Sequence, residues 1–173
     1  YGGLLTLSGA TTISVDSGTL NLTNFGNITG ASFTLTLAGA GNGFLNGDIA
    51  TTSGALIKNG SGTWILSDQN DYTGGTTING GTLVVISTDS LGPVSGALTI
   101  NAGTLEIQSG YSTTRTTTVN DSASTFQVDS FQTYTSNSAI GGSGTLNKTG
   151  AGIMVLGGAN TYSGGTNVIA GTL

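Results

Sequence analysis

Asp68 and Asp71, in the run Asp68-Gln69-Asn70-Asp71-Tyr72, are the residues of this 173-residue chain best spaced for chemistry. A calcium loop needs several oxygens at alternating positions and a Gly at its sharp turn. Tyr72 and Thr73 stand where the third ligand and that Gly belong. Later in the chain the same pattern recurs with Gly158 and Thr161 in place of the acids. The run therefore reads as an ordinary polar corner, and no metal ligand is assigned.

Catalysis fares no better. Asp16, Asp48, Asp89, Asp121 and Asp129 are far apart, Arg115 is the single arginine, and His and Cys are absent. Polysaccharide-cleaving sites need clustered carboxylates, or calcium with a basic residue. Without a general base or a nucleophile the chain reads as no enzyme, with no catalytic residue and no cofactor. Tyr72 and Tyr162 could stack on a sugar, but the simpler reading has each ring covering the glycines of its own corner. Trp64, whose counterpart is Met154, reads as an inward core residue.

The elements that must position these residues are short β-strands. Gly 31, Pro 1 and a charged fraction of 6% leave little for long helices, while 36% hydrophobic residues keep the chain out of the disordered class. Three cations, Lys58, Arg115 and Lys148, cannot neutralise a phosphate track, so nucleic acid is a poor partner. No apolar run is long enough to insert directly in a membrane.

One pattern occurs twice without a gap, ninety residues apart. Gly54-Ala55-Leu56-Ile57-Lys58 matches Gly144-Thr145-Leu146-Asn147-Lys148, then Gly60 and Gly62 match Gly150 and Gly152. Asn70, Tyr72, Gly74, Gly75 and Gly81 follow in register with Asn160, Tyr162, Gly164, Gly165 and Gly171. The copies span 53–85 and 143–173, and a degenerate third opens the chain at 1–22. A Gly-Thr-Leu element at 18–20, 81–83, 103–105, 144–146 and 171–173 sets a step of about 20 residues. Between 103 and 144 this element is read as taking close to two steps. Stretches at about 23–52 and 108–142 read as irregular coils.

Across a step of 22 residues, Thr77–Val85 repeats as Thr99–Ile107. Period-2 alternation sends Leu83, Val85, Leu105 and Ile107 inward, with Thr82, Val84, Thr104 and Glu106 outward. Asn79 and Asn101 fall at corners, where Asn tolerates a left-handed backbone. Coils of this kind stack as a parallel β-solenoid. Leu5, Leu7, Leu20, Trp64, Leu66, Leu146, Met154 and Leu156 are also expected inside.

The pattern Gly-x-Leu-x-Lys-x-Gly-x-Gly, then Asn-x-Tyr-[Ser/Thr]-Gly-Gly-Thr, then Gly-Thr-Leu, resembles the autotransporter-associated β-strand repeat of bacterial passenger domains. The resemblance implies an all-β, right-handed parallel β-helix on the surface of a Gram-negative cell. Residues 1–173 are then expected to form a single solenoid segment of about eight coils. Its expected role is that of a stiff stalk whose coil stacking supports export. An adhesin binding a host or neighbouring cell through irregular coils, or a subunit of an end-to-end extracellular filament, are the alternatives. Tyr1 begins a repeat and Leu173 stops inside one, so further β-helix coils are expected against both ends.

Overall fold

The computed structural model describes residues 3–22, 26–67 and 69–173. Tyr1 and Gly2 of the first repeat copy, and Asp68 of the polar corner, lie outside the described residues. Twenty-one short strands and no helix make up the described chain. Every pairing between them is parallel, so the fold is an all-β solenoid of about eight turns.

The first coil runs through β1 (Leu5–Thr6), β2 (Thr11–Ser14) and β3 (Thr19–Leu22). The second holds β4 (Ile28–Thr29), β5 (Leu35–Ala38) and β6 (Asn42–Leu45), and the third β7 (Ile49–Ala50), β8 (Leu56–Lys58) and β9 (Thr63–Leu66). Two coils have only two strands each, β10 (Thr76–Ile78) with β11 (Thr82–Val85), and β12 (Leu98–Ile100) with β13 (Thr104–Ile107). Three-strand coils then resume with β14 (Tyr111–Thr113), β15 (Thr117–Val119) and β16 (Thr125–Val128). β17 (Thr133–Ser136), β18 (Ile140–Gly141) and β19 (Leu146–Thr149) follow, and β20 (Ile153–Leu156) and β21 (Thr166–Val168) complete the stack.

These strands stack into three faces. The first face holds β1, β4 and β7, then β14, β17 and β20; residues 69–75 and 86–97 cross this side between the two groups. The second face runs from β2 through β5, β8, β10, β12 and β15 to β18. The third, from β3 to β21, is continuous through eight strands.

Register follows the sequence step where the apolar alternation is clean. Thr77 pairs with Thr99 and Ile78 with Ile100, while Leu83 pairs with Trp64 on one side and Leu105 on the other. Trp64, Leu66, Leu83, Val85, Leu105, Ile107, Leu146 and Met154 are buried in one continuous core, as is Leu7. Leu5, Leu20 and Leu156, near the ends of the stack, are half-buried against it. Val84 was expected to face solvent but is buried, though it lies outside the core cluster.

A further expectation is corrected. Residues 26–52 and 108–142 are regular coils in register with the rest, not irregular ones. Within 108–142 the inward positions carry Thr113, Thr117, Ser136 and the aromatic trio Tyr111, Tyr134 and Phe126, which hides the alternation; within 26–52 they carry Ile28, Leu35, Leu37, Leu45 and Ile49. Phe126 stacks on Tyr134 at 5.7 Å, and Tyr111 meets Tyr134 edge-on at 5.2 Å.

The step from 103 to 144 does span two coils of the third face, with a shift in register: Leu105 pairs with Phe126, and Phe126 with Lys148, so Leu146 stands two residues before the place that Leu105 holds. In the earlier copy Leu56–Lys58 lies on the second face, Thr63–Leu66 on the third, and Asn70–Tyr72 on the first side. In the later copy Leu146–Thr149 lies on the third, Ile153–Leu156 on the first, and Thr161 pairs back to Ile140 of the second. Ninety residues therefore advance the motif by four coils plus one face, which turns it by about a third of a revolution around the stack.

Candidate functional site

The motif lysines occupy inward positions. Lys58 pairs with Leu37 and Ile78 along the second face, at the parity of the core residues, and both Lys58 and Lys148 are fully buried. A lysine can stand there because its aliphatic stem packs as a hydrophobe while the ammonium reaches out to polar groups at the rim. Lys58 Nζ donates to the carbonyls of Asn59 at 2.8 Å and Gly60 at 3.1 Å, and to Gly80 of the next coil at 3.0 Å. Lys148 Nζ does the same with Thr149 at 2.7 Å, Gly150 at 2.8 Å and Ala170 of the following coil at 3.1 Å. Three donors meet three corner carbonyls, and each clasp joins two coils.

Gly81 and Gly171 complete these clasps. Their φ values of 63° and 75° are left-handed, and a Cβ on either would come within 2.7 Å of the lysine Nζ. Burial pushes the Lys58 ammonium down to about 8, and lowers Lys148 for the same reason.

Arg115 is the third buried cation. Its guanidinium donates to the carbonyls of Gly92 at 2.6 Å and Pro93 at 3.0 Å, and also to Gly96, all in the preceding coil. It thereby folds the loop 86–97 onto the stack. All three cations of the chain thus serve as inter-coil clasps on backbone carbonyls.

The motif Asn and Tyr are also interior parts. Asn70 accepts from Ile49 N of the preceding coil at 2.7 Å and donates to Ser90 O of the following coil at 2.6 Å, so one side chain ties three coils together. Asn160 Oδ1 accepts from Ile140 N at 2.8 Å in the same way. Tyr72 is fully buried in the core, with its hydroxyl 2.7 Å from Thr76 Oγ1. Tyr162 sits 2.5 Å from Thr166 and is half-buried. Gly74 and Gly164 pass so close to Gly54 and Gly144 that a Cβ would meet a carbonyl oxygen at 2.6 and 2.5 Å. Gly62 and Gly152 are similarly crowded by the carbonyls of Gly41 and Gln132.

Sequence reasoning did not foresee the asparagine ladder along one corner. Asn79 donates to Asn59 at 2.8 Å, Asn101 to Asn79 at 2.7 Å, and Asn120 to Asn101 at 3.0 Å. The signal was the 20-residue recurrence of Asn at the end of successive second-face strands.

The acids accept hydrogen bonds between coils and within turns. Asp71 N donates to Asp48 Oδ1 at 3.1 Å, Asn27 to Asp48 Oδ2 at 3.2 Å, and Gln69 to Asp89 at 3.2 Å. Asp121 caps Ala123 N at 2.8 Å. Among the described residues no three metal-ligating side chains converge. The geometry described here holds a backbone in place.

Residues 56–85, 94–107 and 146–173 match the passenger-associated-transport-repeat family. A curated relative, the Adhesin BmaC autotransporter of Brucella suis biovar 1 (strain 1330), is 40% identical over 124 residues. The match covers 71% of this chain and 4% of that protein. No solved structure matches the chain significantly. The matched stretches are autotransporter passenger repeats, and they lie within one continuous β-solenoid.

Proposed function

We propose that this chain is a non-enzymatic, stiff stalk segment of a surface-displayed or secreted protein of a Gram-negative bacterium. The observation that carries the reading is the use of every cation as a carbonyl clasp between neighbouring coils. Ordering some twenty residues costs about 1–2 kcal/mol for each backbone unit, so one coil alone does not hold its shape. Stacking supplies the missing backbone partners and the shared core. The clasp forms only when both coils are present, because its donor and its third acceptor sit about 22 residues apart. A coil that docks on the coil already folded outside the cell is locked there. Folding then opposes backsliding and draws the chain outward.

Burial of all three cations supports a surface that does not bind nucleic acid. No helix among the described residues is long and apolar enough to cross a membrane. Val168, Ile169 and Leu173 of the last coil, and Leu4 of the first, are exposed apolar residues that further coils would cover. We take their partners to be more β-helix, of the same polypeptide or of another copy stacked end to end in a filament.

An adhesive role is the second reading. It is favoured by the name of the Brucella relative and by one fully exposed aromatic, Phe131, on an otherwise Thr- and Ser-rich surface.

The test is the intact protein carrying Lys58→Met and Lys148→Met, displayed on its own cell. Slowed surface appearance and faster proteolysis of the displayed chain are expected. Normal display with undiminished protease resistance would reject the stalk mechanism.

A further inference from the structure

Phe131 is held in a backbone conformation that its side chain disfavours, and it is held firmly. Its φ is 66°, a left-handed value that is rare for a bulky residue. Strain of this kind persists where the surroundings over-determine it, and it clusters at functional sites. Ser32 and Thr52 share such values, but both are bonded into neighbouring coils through Ser53, Thr51 and Thr73. The Phe131 ring is fully exposed.

One inserted residue places it there. Four residues, 129–132, connect β16 to β17, whereas three connect β13 to β14 and β19 to β20. The bulge is pinned from both sides. Gln132 N donates to Asp129 O at 3.0 Å, Gly110 N below donates to Gln132 Oε1 at 2.8 Å, and Ile153 N above donates to Gln132 O at 2.9 Å. With the backbone of the turn fixed, only the side chain of Phe131 loses freedom when it meets a ligand.

Beside the ring lies a groove of about 310 Å³, lined by Phe131, Gln132, Thr133, Gly152, Ile153 and Thr172 among others. Its polar groups are neutral amides, hydroxyls and backbone. The nearby charge is the carboxylate of Asp129, and all three cations of the chain are buried elsewhere. Anionic ligands find no counter-charge here, while a flat apolar ring flanked by neutral hydrogen-bonding groups suits the two chemistries of a pyranose. Its C–H face packs on the aromatic, and its hydroxyls bond to the Thr and Gln side chains. The volume falls at the small end of ligand sites, which span about 300–1,000 Å³.

We infer that the Phe131 bulge and the adjoining groove form a binding site for a neutral oligosaccharide. This deepens the adhesive reading above and rests on it. The test measures binding of the full chain to neutral glucose, galactose and N-acetylglucosamine oligosaccharides, beside sulfated and sialylated counterparts, and in parallel scores adhesion of displaying cells. At least one neutral probe should bind in preference to its charged forms. Phe131→Ala should weaken that binding at least tenfold, Phe131→Trp should retain it, and neither should lower the melting temperature. Phe131→Gly, which relieves the backbone, should fold normally and fail to bind. Binding unchanged in folded Phe131→Ala, preference for a charged probe, or binding to none of the panel would overturn the site. Adhesion lost in Phe131→Ala without saccharide binding would overturn the ligand class and leave adhesion standing. Phe131-dependent saccharide binding without any adhesion would support the site and reject the adhesive role.

Discussion

Lys58 Nζ lies 3.0 Å from the carbonyl oxygen of Gly80, twenty-two residues and one coil further along the chain. A lysine whose stem stands in line with Leu37 and Ile78 thus closes the corner above it with its ammonium. Lys148 repeats the relationship with Ala170.

Removing that ammonium while keeping its stem isolates the clasp. Lys58→Met should destabilise the protein by about 1–3 kcal/mol, because three corner carbonyls lose a donor. Lys58→Ala adds a cavity beneath them and should cost more, about 2–5 kcal/mol. Denaturant midpoints measure both; equal, near-zero effects would show that water replaces the clasp.

Leu83 and Val84 separate the core from the outer side of the third face. Leu83 is fully buried in the cluster between Trp64 and Leu105, and Leu83→Ala should cost about 2–5 kcal/mol. Val84 is buried outside that cluster, beside Ile65 and Glu106, so Val84→Thr should be tolerated where Leu83→Thr is not. Thermal melts of the three variants check the order.

The coil step and the inward set at 77–85 and 99–107 were legible because Leu, Ile and Val alternate there without a break. The coils at 108–142 were not, because Thr117, Ser136 and Tyr134 occupy inward positions and the hydropathy pattern fades while the backbone ladder continues. Those at 26–52 do alternate, at Leu35 and Leu37, but lack the Gly-Thr-Leu marker that set the step. The clasp left one clue: Lys58 shares the parity of Leu56, which turns inward. A rule that sends every charge outward overrides that clue. The rotation of the second copy onto a new face is invisible in the motif, which is nearly unchanged. It depends on Phe126 pairing with Lys148.

Gly75 and Gly165 hold the same motif position with the same left-handed φ, 84° and 85°. A Cβ on Gly75 would also meet Ala97 O of the following coil at 2.6 Å. Gly75→Ala should therefore cost more than the left-handed strain of about 1–2 kcal/mol alone. Gly75→Val should impair folding or secretion without a selective loss of binding. Chemical denaturation of Gly75→Ala checks the first, and surface display of Gly75→Val the second.

Stability should rise with pH above 8. Lys58 titrates at about 8 in the folded protein, against its ordinary 10.5. Between those values the unfolded chain binds more protons than the folded one, so the desolvation penalty is fully present below pH 8 and is relieved above it. Burial raises Tyr72, which gives the opposite sign above pH 10. Unfolding free energy should therefore climb from pH 8 to about 10, and climb less in Lys58→Met.

Amide hydrogen exchange in Lys58→Met tests the clasp most directly. Without the ammonium, amides of 56–66 and 76–85, the two coils it joins, should lose protection, while 117–128 and 133–149 keep theirs. Unchanged protection at 76–85, or a uniform loss along the whole chain, would contradict a clasp that locks one coil to the next.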